Sequence, residues 1–167
     1  MIIRKAKISD LDNIMIMYKS CVDGMIRSGI TQWDATYPNK EIIARDIHSE
    51  TYFIAIDENK IIGGVNIDKN QDNIYLTIDW KDKKNKFLVV HRLAIDNKFW
   101  KNGIGRLLMK YAEKLVVSNN LKSIRLDTYS GNPQAMLFYK KLGYNRLGTI
   151  NLKPNMKEYY CYEKIIR

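Results

Sequence analysis

Residues 93–108 read LAIDNKFWKNGIGRLL, in which an apolar strand ends, a short loop carries two glycines and a helix begins. Gly103 and Gly105 let the backbone approach a ligand closely. The loop amides and the helix N-terminus present hydrogen-bond donors and a positive dipole to a phosphate, and Lys101 and Arg106 add positive charge nearby. The segment therefore predicts a phosphate-binding loop, although Gly-x-Gly alone equally fits a plain turn from strand to helix.

Two well-known phosphate loops are excluded by the glycine spacing. The Gly-x-x-x-x-Gly-Lys pattern of nucleotide hydrolases does not occur in the sequence. The dinucleotide-binding fingerprint requires a third Gly or Ala at the position of Leu108. The predicted phosphate loop therefore belongs to neither class.

The hydrophobic pattern outside this segment predicts a mixed α/β sheet covered by helices. Apolar residues recur at i, i+3, i+4 and i+7 after a capping box that we expect at Ser9 and Asp12, and Gly29 ends this helix. Further helices are expected after Asn39, from Gly103 to about Ser118, and from Asn132 to Leu142. Predicted strands cover residues 2–5, 52–56, 61–67, 87–95, 123–129, 144–150 and 158–166, while 74–80 is ambiguous between strand and loop.

Composition predicts one ordinary domain over residues 1–167. The sequence is 46% hydrophobic and 28% charged, which is enough to form a core without metal or disulfide. Cys21 and Cys161 lie far apart, so we expect two reduced thiols and no metal site. No signal peptide and no apolar run of roughly 20 residues is found, which predicts a cytoplasmic protein with no membrane partner.

The net charge of +10 fits nucleic acid, anionic lipid or a polyphosphate cofactor. The lysines are spread along the whole chain, so charge alone selects none of these. A nucleic-acid-binding protein requires clustered Lys and Arg with stacking aromatics, and no such cluster is found. We therefore expect no nucleic-acid partner. A monomer or homodimer is expected.

A second informative segment is Asn132-Pro-Gln-Ala-Met-Leu-Phe-Tyr139-Lys-Lys-Leu-Gly-Tyr144. Together with the Gly-x-Gly helix, it resembles the GCN5-related N-acetyltransferase (GNAT) family of acyl-CoA-dependent acyltransferases. The likeness extends over nearly the whole chain. It implies the GNAT fold, with a mixed, mostly antiparallel central sheet flanked by helices, and acetyl-CoA as cosubstrate.

The resemblance also implies which residues bind acetyl-CoA. In the family, pyrophosphate binding uses Arg or Gln, two residues, Gly, one residue, then Gly or Ala. The Arg or Gln position falls on Trp100, a departure for which we expect Lys101 to supply charge. The strand 93–95 matches the one that pairs with pantetheine. The expected cofactor-binding residues are Leu93, Ala94, Ile95, Lys101, Asn102, Gly103, Ile104, Gly105, Arg106 and Asn132.

Acyl transfer needs a neutral amine, an oxyanion donor and a proton for the leaving thiolate. Tyr139 matches the family tyrosine that protonates the thiolate of CoA. For the base there are two candidates: His91, on the same strand face as Leu93, and Asp127, which matches a family glutamate. Alternatively, His91 is a hydrogen-bonded core residue, Asp127 pairs with Arg92 or Arg125, or a water relay deprotonates the amine.

The acceptor is expected to be a small primary amine, attacked directly in a ternary complex, because no Cys or Ser lies in an activated nucleophile motif. Trp33, Tyr37 and Trp80 are the expected acceptor-binding residues, with Asp34 or Asp79 meeting a cationic amine. A concave aromatic site suits a small ligand. The alternative function is a catalytically silent acyl-CoA sensor.

Overall fold

The computed structural model describes residues 1–166 and contains a mixed, mostly antiparallel seven-stranded sheet flanked by helices, as predicted. The sheet order is β1-β2-β3-β4-β5-β7-β6, and β4 and β5 run parallel. The strands are β1 (Ile2–Lys5), β2 (Tyr52–Asp57), β3 (Lys60–Asp68), β4 (Phe87–Ile95), β5 (Ser123–Tyr129), β6 (Asn145–Ile150) and β7 (Tyr159–Ile165). The helices are α1 (Leu11–Arg27), α2 (Lys40–His48), α3 (Ile104–Ser118) and α4 (Pro133–Lys141).

The chain divides into two compact units. Unit 1 comprises residues 1–67 and 91–111, and unit 2 comprises residues 68–90 and the residues from Ala112 onward. The expectation of a single domain over 1–167 remains a prediction. Among residues 1–166, no helix is long and apolar enough to cross a membrane.

In unit 1, the core lies between α1, α2 and the strands β2 and β3. Most of the apolar face predicted for α1 is buried, although Ile26 at its end is 57% exposed. Gly29 after the helix has a φ of +74°, a conformation that glycine adopts readily. The predicted capping box at Ser9 and Asp12 is wrong. Residues 8–10 form a short 3-10 turn, and the carboxylate of Asp10 accepts the amide of Lys7 at 2.7 Å.

Helix α2 begins where it was expected, because the side chain of Asn39 accepts a hydrogen bond from the amide of Ile42 at 3.0 Å. An oxygen acceptor at this position satisfies one of the unpaired amides of the first turn. The hairpin of β2 and β3 turns through residues 57–60, also as predicted.

In unit 2, the ambiguous segment 74–80 is not a strand. Residues 73–77 form a 3-10 turn, and Tyr75 and Trp80 of the segment belong to an aromatic core cluster with residues of β4, β5, β6 and β7. Helix α4 is capped by Asn132, whose Oδ1 accepts the amide of Ala135 at 3.0 Å, with Pro133 as first residue. The buried cluster consists of Tyr75, Trp80, Phe87, Val89, Tyr129, Ile150, Tyr159 and Cys161.

Candidate active site

The glycine loop of unit 1 leads directly into the N-terminus of α3. Lys101 and Gly103 have φ values of +66° and +80°, so the loop backbone turns through the left-handed region twice within three residues. A β-carbon built on Gly103 meets no atom within 4 Å, which means that the backbone conformation, not crowding, favours glycine there. Lys101 and Arg106 are exposed and Gly105 is the second residue of α3.

Trp100, at the position of the family Arg or Gln, has a structural role in the loop. Its indole Nε1 donates to the carbonyl oxygen of Ile95 at 2.9 Å, and its ring packs against the core of unit 1. This hydrogen bond joins the two ends of the segment 95–100. Trp100 contributes no charge, so positive charge at this loop comes from its neighbours.

Asp96 anchors the same segment and was not identified from the sequence. Its carboxylate accepts the hydroxyl of Ser20 at 2.7 Å and the amide of Lys98 at 3.1 Å, and it pairs with Lys60 at 2.9 Å. Burial acts to raise the pKa of Asp96, but the hydrogen bonds of Ser20 and Lys60 outweigh it and hold the pKa below its ordinary value. The only sequence signal is an Asp at the end of a strand, a residue type that caps turns.

Strand β4 contains an irregularity at Arg92, whose φ is +53°. The hydroxyl of Tyr18 donates a hydrogen bond to the carbonyl oxygen of Arg92 at 2.8 Å. The same hydroxyl accepts a hydrogen bond from the hydroxyl of Tyr52 at 3.0 Å. The guanidinium group contacts the carboxylate of Asp46 at 2.9 and 2.6 Å. These buried contacts fix the backbone immediately before residues 93–95, the strand segment expected to bind pantetheine.

The expected acceptor residues of unit 1 lie on the loop between α1 and α2. Trp33 and Tyr37 are half-buried, with ring centroids 6.4 Å apart, and Trp33 also packs on Tyr18 at 5.9 Å. Asp34 shapes the loop itself, because its Oδ1 accepts the amide and hydroxyl of Thr36 at 2.7 and 2.6 Å. His91 lies half-buried on β4.

In unit 2, the charge of Asp127 acts on the phenol of Tyr139. Asp127 Oδ2 accepts a hydrogen bond from the hydroxyl of Tyr75 at 2.5 Å. Tyr139 is only 7% exposed. Burial, and then the negative charge of Asp127, raise the pKa of Tyr139 well above its ordinary value. The phenol is therefore held in the protonated form that a proton donor requires.

The two arginines considered as partners of Asp127 have other carboxylate partners. Arg125 contacts Glu163 at 3.3 Å and donates to the carbonyl oxygen of Asp82 at 2.8 Å. Arg92 belongs to unit 1 and pairs with Asp46.

Trp80 lies in the core of unit 2 rather than at its surface. It is 5% exposed, its Nε1 donates to the carbonyl oxygen of Tyr75 at 2.7 Å, and the Arg125 guanidinium lies 4.7 Å from its ring centroid. Asp79 pairs with Lys83. The expectation that Trp80 lines the acceptor site is therefore wrong, because its ring is packed in the core.

Similarity to known proteins extends over most of the chain. Residues 22–144 match the sequence model of the acetyltransferase (GNAT) family. An uncharacterized N-acetyltransferase of Bacillus subtilis strain 168, YesJ, is 23% identical over 140 residues, which cover 83% of this chain and 75% of YesJ.

Solved structures share the fold. A GNAT-family acetyltransferase from Streptococcus agalactiae superposes with a TM-score of 0.84 at 24% identity, over 99% of this chain and 95% of that one. The PaiA N-acetyltransferase of Thermoplasma acidophilum, solved in complex with coenzyme A, superposes with a TM-score of 0.74 at 17% identity, over 98% of both chains. With the family match covering well over half of the sequence, the chain belongs to the acetyltransferase (GNAT) family of N-acyltransferase enzymes.

Proposed function

We propose that this enzyme transfers the acetyl group of acetyl-CoA to a primary amine of a small acceptor by direct attack. The observation that carries the proposal is the loop 101–105 at the N-terminus of α3. It combines two left-handed residues, an open glycine and exposed positive charge. These features suit a pyrophosphate, and the related fold of PaiA was solved with coenzyme A.

The assigned residues provide for each proton in the reaction. The neutral amine attacks the thioester carbonyl, the new C–N bond forms, and the C–S bond then breaks to release the thiolate of CoA. Tyr139 gives its proton to that thiolate, and a base takes the excess proton of the amine nitrogen. A backbone amide of residues 93–95 is the proposed donor to the oxyanion.

For the base, the chain offers His91, Asp127 or a water relay. Asp127 is favoured because its carboxylate charge acts on Tyr139, the proposed proton donor, and raises the pKa of that phenol. The charge of Asp127 also opposes ionisation of the phenol, so the proposed acid begins in its protonated form.

Neither cysteine supports an acyl-enzyme route. Cys21 and Cys161 are both buried, and burial raises the pKa of Cys21 to about 11 and that of Cys161 to about 12. Since the thiolate is the nucleophile, neither thiol is activated, which supports direct attack by the amine.

The aromatic residues Trp33 and Tyr37 support a small acceptor. Both lie on the loop between α1 and α2 and keep part of their surface accessible. Aromatic surface with a few polar groups is typical of small-molecule sites. A monomer or homodimer that acts on a small cytoplasmic amine remains part of the proposal.

Binding of acetyl-CoA to wild type and to Gly105→Val tests the proposal by calorimetry. The valine side chain would enter the space that the pyrophosphate needs, so measurable binding is lost. Ser118→Val, at the exposed last residue of α3, is the matched control and binds like wild type. Equal affinity for the Gly105 variant excludes this loop, and thiol release with a panel of primary amines separates an enzyme from a silent sensor.

A further inference from the structure

Tyr75 is a buried residue of unit 2 that the proposed reaction does not use. It is 2% exposed, yet its hydroxyl reaches Asp127 Oδ2 at 2.5 Å. This is the length of a strong hydrogen bond to an ionised oxygen. A tyrosine held inside an apolar cluster with its polar end on the candidate base calls for a functional explanation.

The backbone of Tyr75 is fixed on both sides. Its amide donates to the carbonyl oxygen of Asp72 at 2.9 Å, and its own carbonyl oxygen accepts Trp80 Nε1 at 2.7 Å. The rings of Tyr75 and Trp80 lie 5.3 Å apart. Asp72 Oδ1 in turn caps the 3-10 turn by accepting the amide of Ile74 at 3.0 Å. The phenol therefore has little freedom to leave Asp127.

The kind of donor matters for the chemistry. Arg125 lies two residues before Asp127, on the same face of β5, and is committed to Glu163 and to the carbonyl oxygen of Asp82. A phenol opposes proton uptake by a carboxylate less than an arginine does, because it donates a hydrogen bond without adding a positive charge. Burial and the charge of Asp127 raise the pKa of Tyr75 well above its ordinary value, so it remains a donor.

We propose that Tyr75 is a positioning residue for the reaction, and that its hydroxyl fixes the carboxylate of Asp127 in the orientation that accepts a proton from the acceptor amine. With Oδ2 hydrogen-bonded to Tyr75, the direction of Oδ1 is set, and Oδ1 takes the proton as the amine nitrogen bonds to the acetyl carbon. This inference rests on the proposed function and on Asp127 as base.

A double-mutant cycle of Tyr75→Phe and Asp127→Asn tests the inference, with kcat/KM measured for the fastest primary amine of the panel. Asp127→Asn lowers kcat/KM by about a hundredfold to ten-thousandfold. Tyr75→Phe lowers it by about tenfold to a hundredfold, since small misplacements of a reacting group have effects of this size. When Asp127→Asn is already present, Tyr75→Phe has less than about a twofold effect, because the partner through which it acts is gone.

A second readout uses the basicity of the amine. In a fluorinated analogue of the same amine, the N–H proton becomes more acidic as the nitrogen bonds to the acetyl carbon, so its removal depends less on a base and the defect of Tyr75→Phe shrinks. A purely structural defect is the same for both amines. Tyr129→Phe removes a hydroxyl from the same buried cluster and serves as the matched control, with wild-type kcat/KM for both amines. Calorimetry shows whether each variant still binds acetyl-CoA.

The outcomes are distinguishable. Additive losses in the cycle, or an equal defect with both amines, overturn the role of Tyr75 while acetyl transfer stands. A normal rate for Asp127→Asn overturns it as well, since Tyr75 then has no base to position. Wild-type protein that neither binds acetyl-CoA nor acetylates any amine overturns the proposed function and this inference together.

Discussion

Gly24 of α1 lies directly against Trp100, so closely that a β-carbon built on Gly24 would be 2.8 Å from Cη2 of the indole and 2.7 Å from Cβ of Asn97. Nε1 of the same indole donates a hydrogen bond to the carbonyl oxygen of Ile95. Helix α1 therefore sets the position of the segment that leads into the glycine loop.

Gly24→Ala is expected to weaken binding of acetyl-CoA by about tenfold or more. Alanine in a helix interior is normally favoured over glycine by about 1 kcal/mol, but overpacking here costs about 1–3 kcal/mol. The segment before the loop must shift to relieve the clash. Calorimetry with acetyl-CoA and thermal unfolding measure the two effects.

Ile16→Ala, at an exposed site of the same helix, is the control and leaves affinity unchanged. If Gly24→Ala is more stable than wild type and binds acetyl-CoA normally, the packing of α1 does not set the position of this segment.

Asp96→Asn is expected to weaken binding of CoA by about tenfold without affecting binding of pantetheine, which lacks the pyrophosphate. The amide loses the ion pair with Lys60 and alters the hydrogen bond to Ser20, so the glycine loop is less well ordered before binding. Competition assays with the two ligands check this. Equal weakening of both would indicate a general loss of structure.

Local sequence signals were sufficient for most of the fold. Asn39 and the Asn132-Pro133 pair mark helix starts because the capping chemistry involves residues within three positions of each other. The glycine loop was recognisable for the same reason. The capping box at Ser9 failed because Asp10, one residue further on, satisfies the amide of Lys7 instead.

The contacts that shape the site depend on residues distant in sequence. Tyr18 and the carbonyl oxygen of Arg92 are 74 positions apart, and Tyr75 and Asp127 are 52 apart. A pattern of side chains along one element carries no information about such pairs. For the same reason, Trp80 was expected at the acceptor site, whereas the structure places it in the core.

Trp33→Ala and Tyr37→Ala are expected to raise KM for the acceptor amine by about tenfold while leaving KM for acetyl-CoA unchanged. Each removes accessible aromatic surface from the loop between α1 and α2, and burial of apolar area contributes about 25 cal/mol per Å². Steady-state kinetics with either substrate varied separate the two constants. Unchanged kcat/KM for the amine in both folded variants would place the acceptor elsewhere.

Stability is expected to fall as the pH rises above about 10. Burial raises the pKa of Tyr18, Tyr52, Tyr75, Tyr139 and Tyr144 above the ordinary tyrosine value. Below about pH 10 these tyrosines are protonated in both the folded and the unfolded state. Above that pH they lose their protons in the unfolded chain but keep them in the folded protein, which favours unfolding. Melting temperature against pH, with tyrosinate absorbance, measures this. Release of all tyrosine protons before any unfolding would contradict it.

Tyr139→Phe is expected to lower kcat by about a hundredfold to ten-thousandfold, the range typical of general-acid catalysis, while the Kd for acetyl-CoA stays the same. The loss shrinks with a thioester whose thiol is more acidic, because that thiolate needs less help in leaving. Since the pKa of Tyr139 is raised, wild-type kcat does not decline through ionisation of this phenol between pH 7 and about 10. Tyr162→Phe removes a hydroxyl from the ring that packs on Tyr139 with centroids 6.0 Å apart, and keeps wild-type kcat. An unchanged kcat in Tyr139→Phe, measured in single turnovers that report the chemical step, removes Tyr139 from the mechanism.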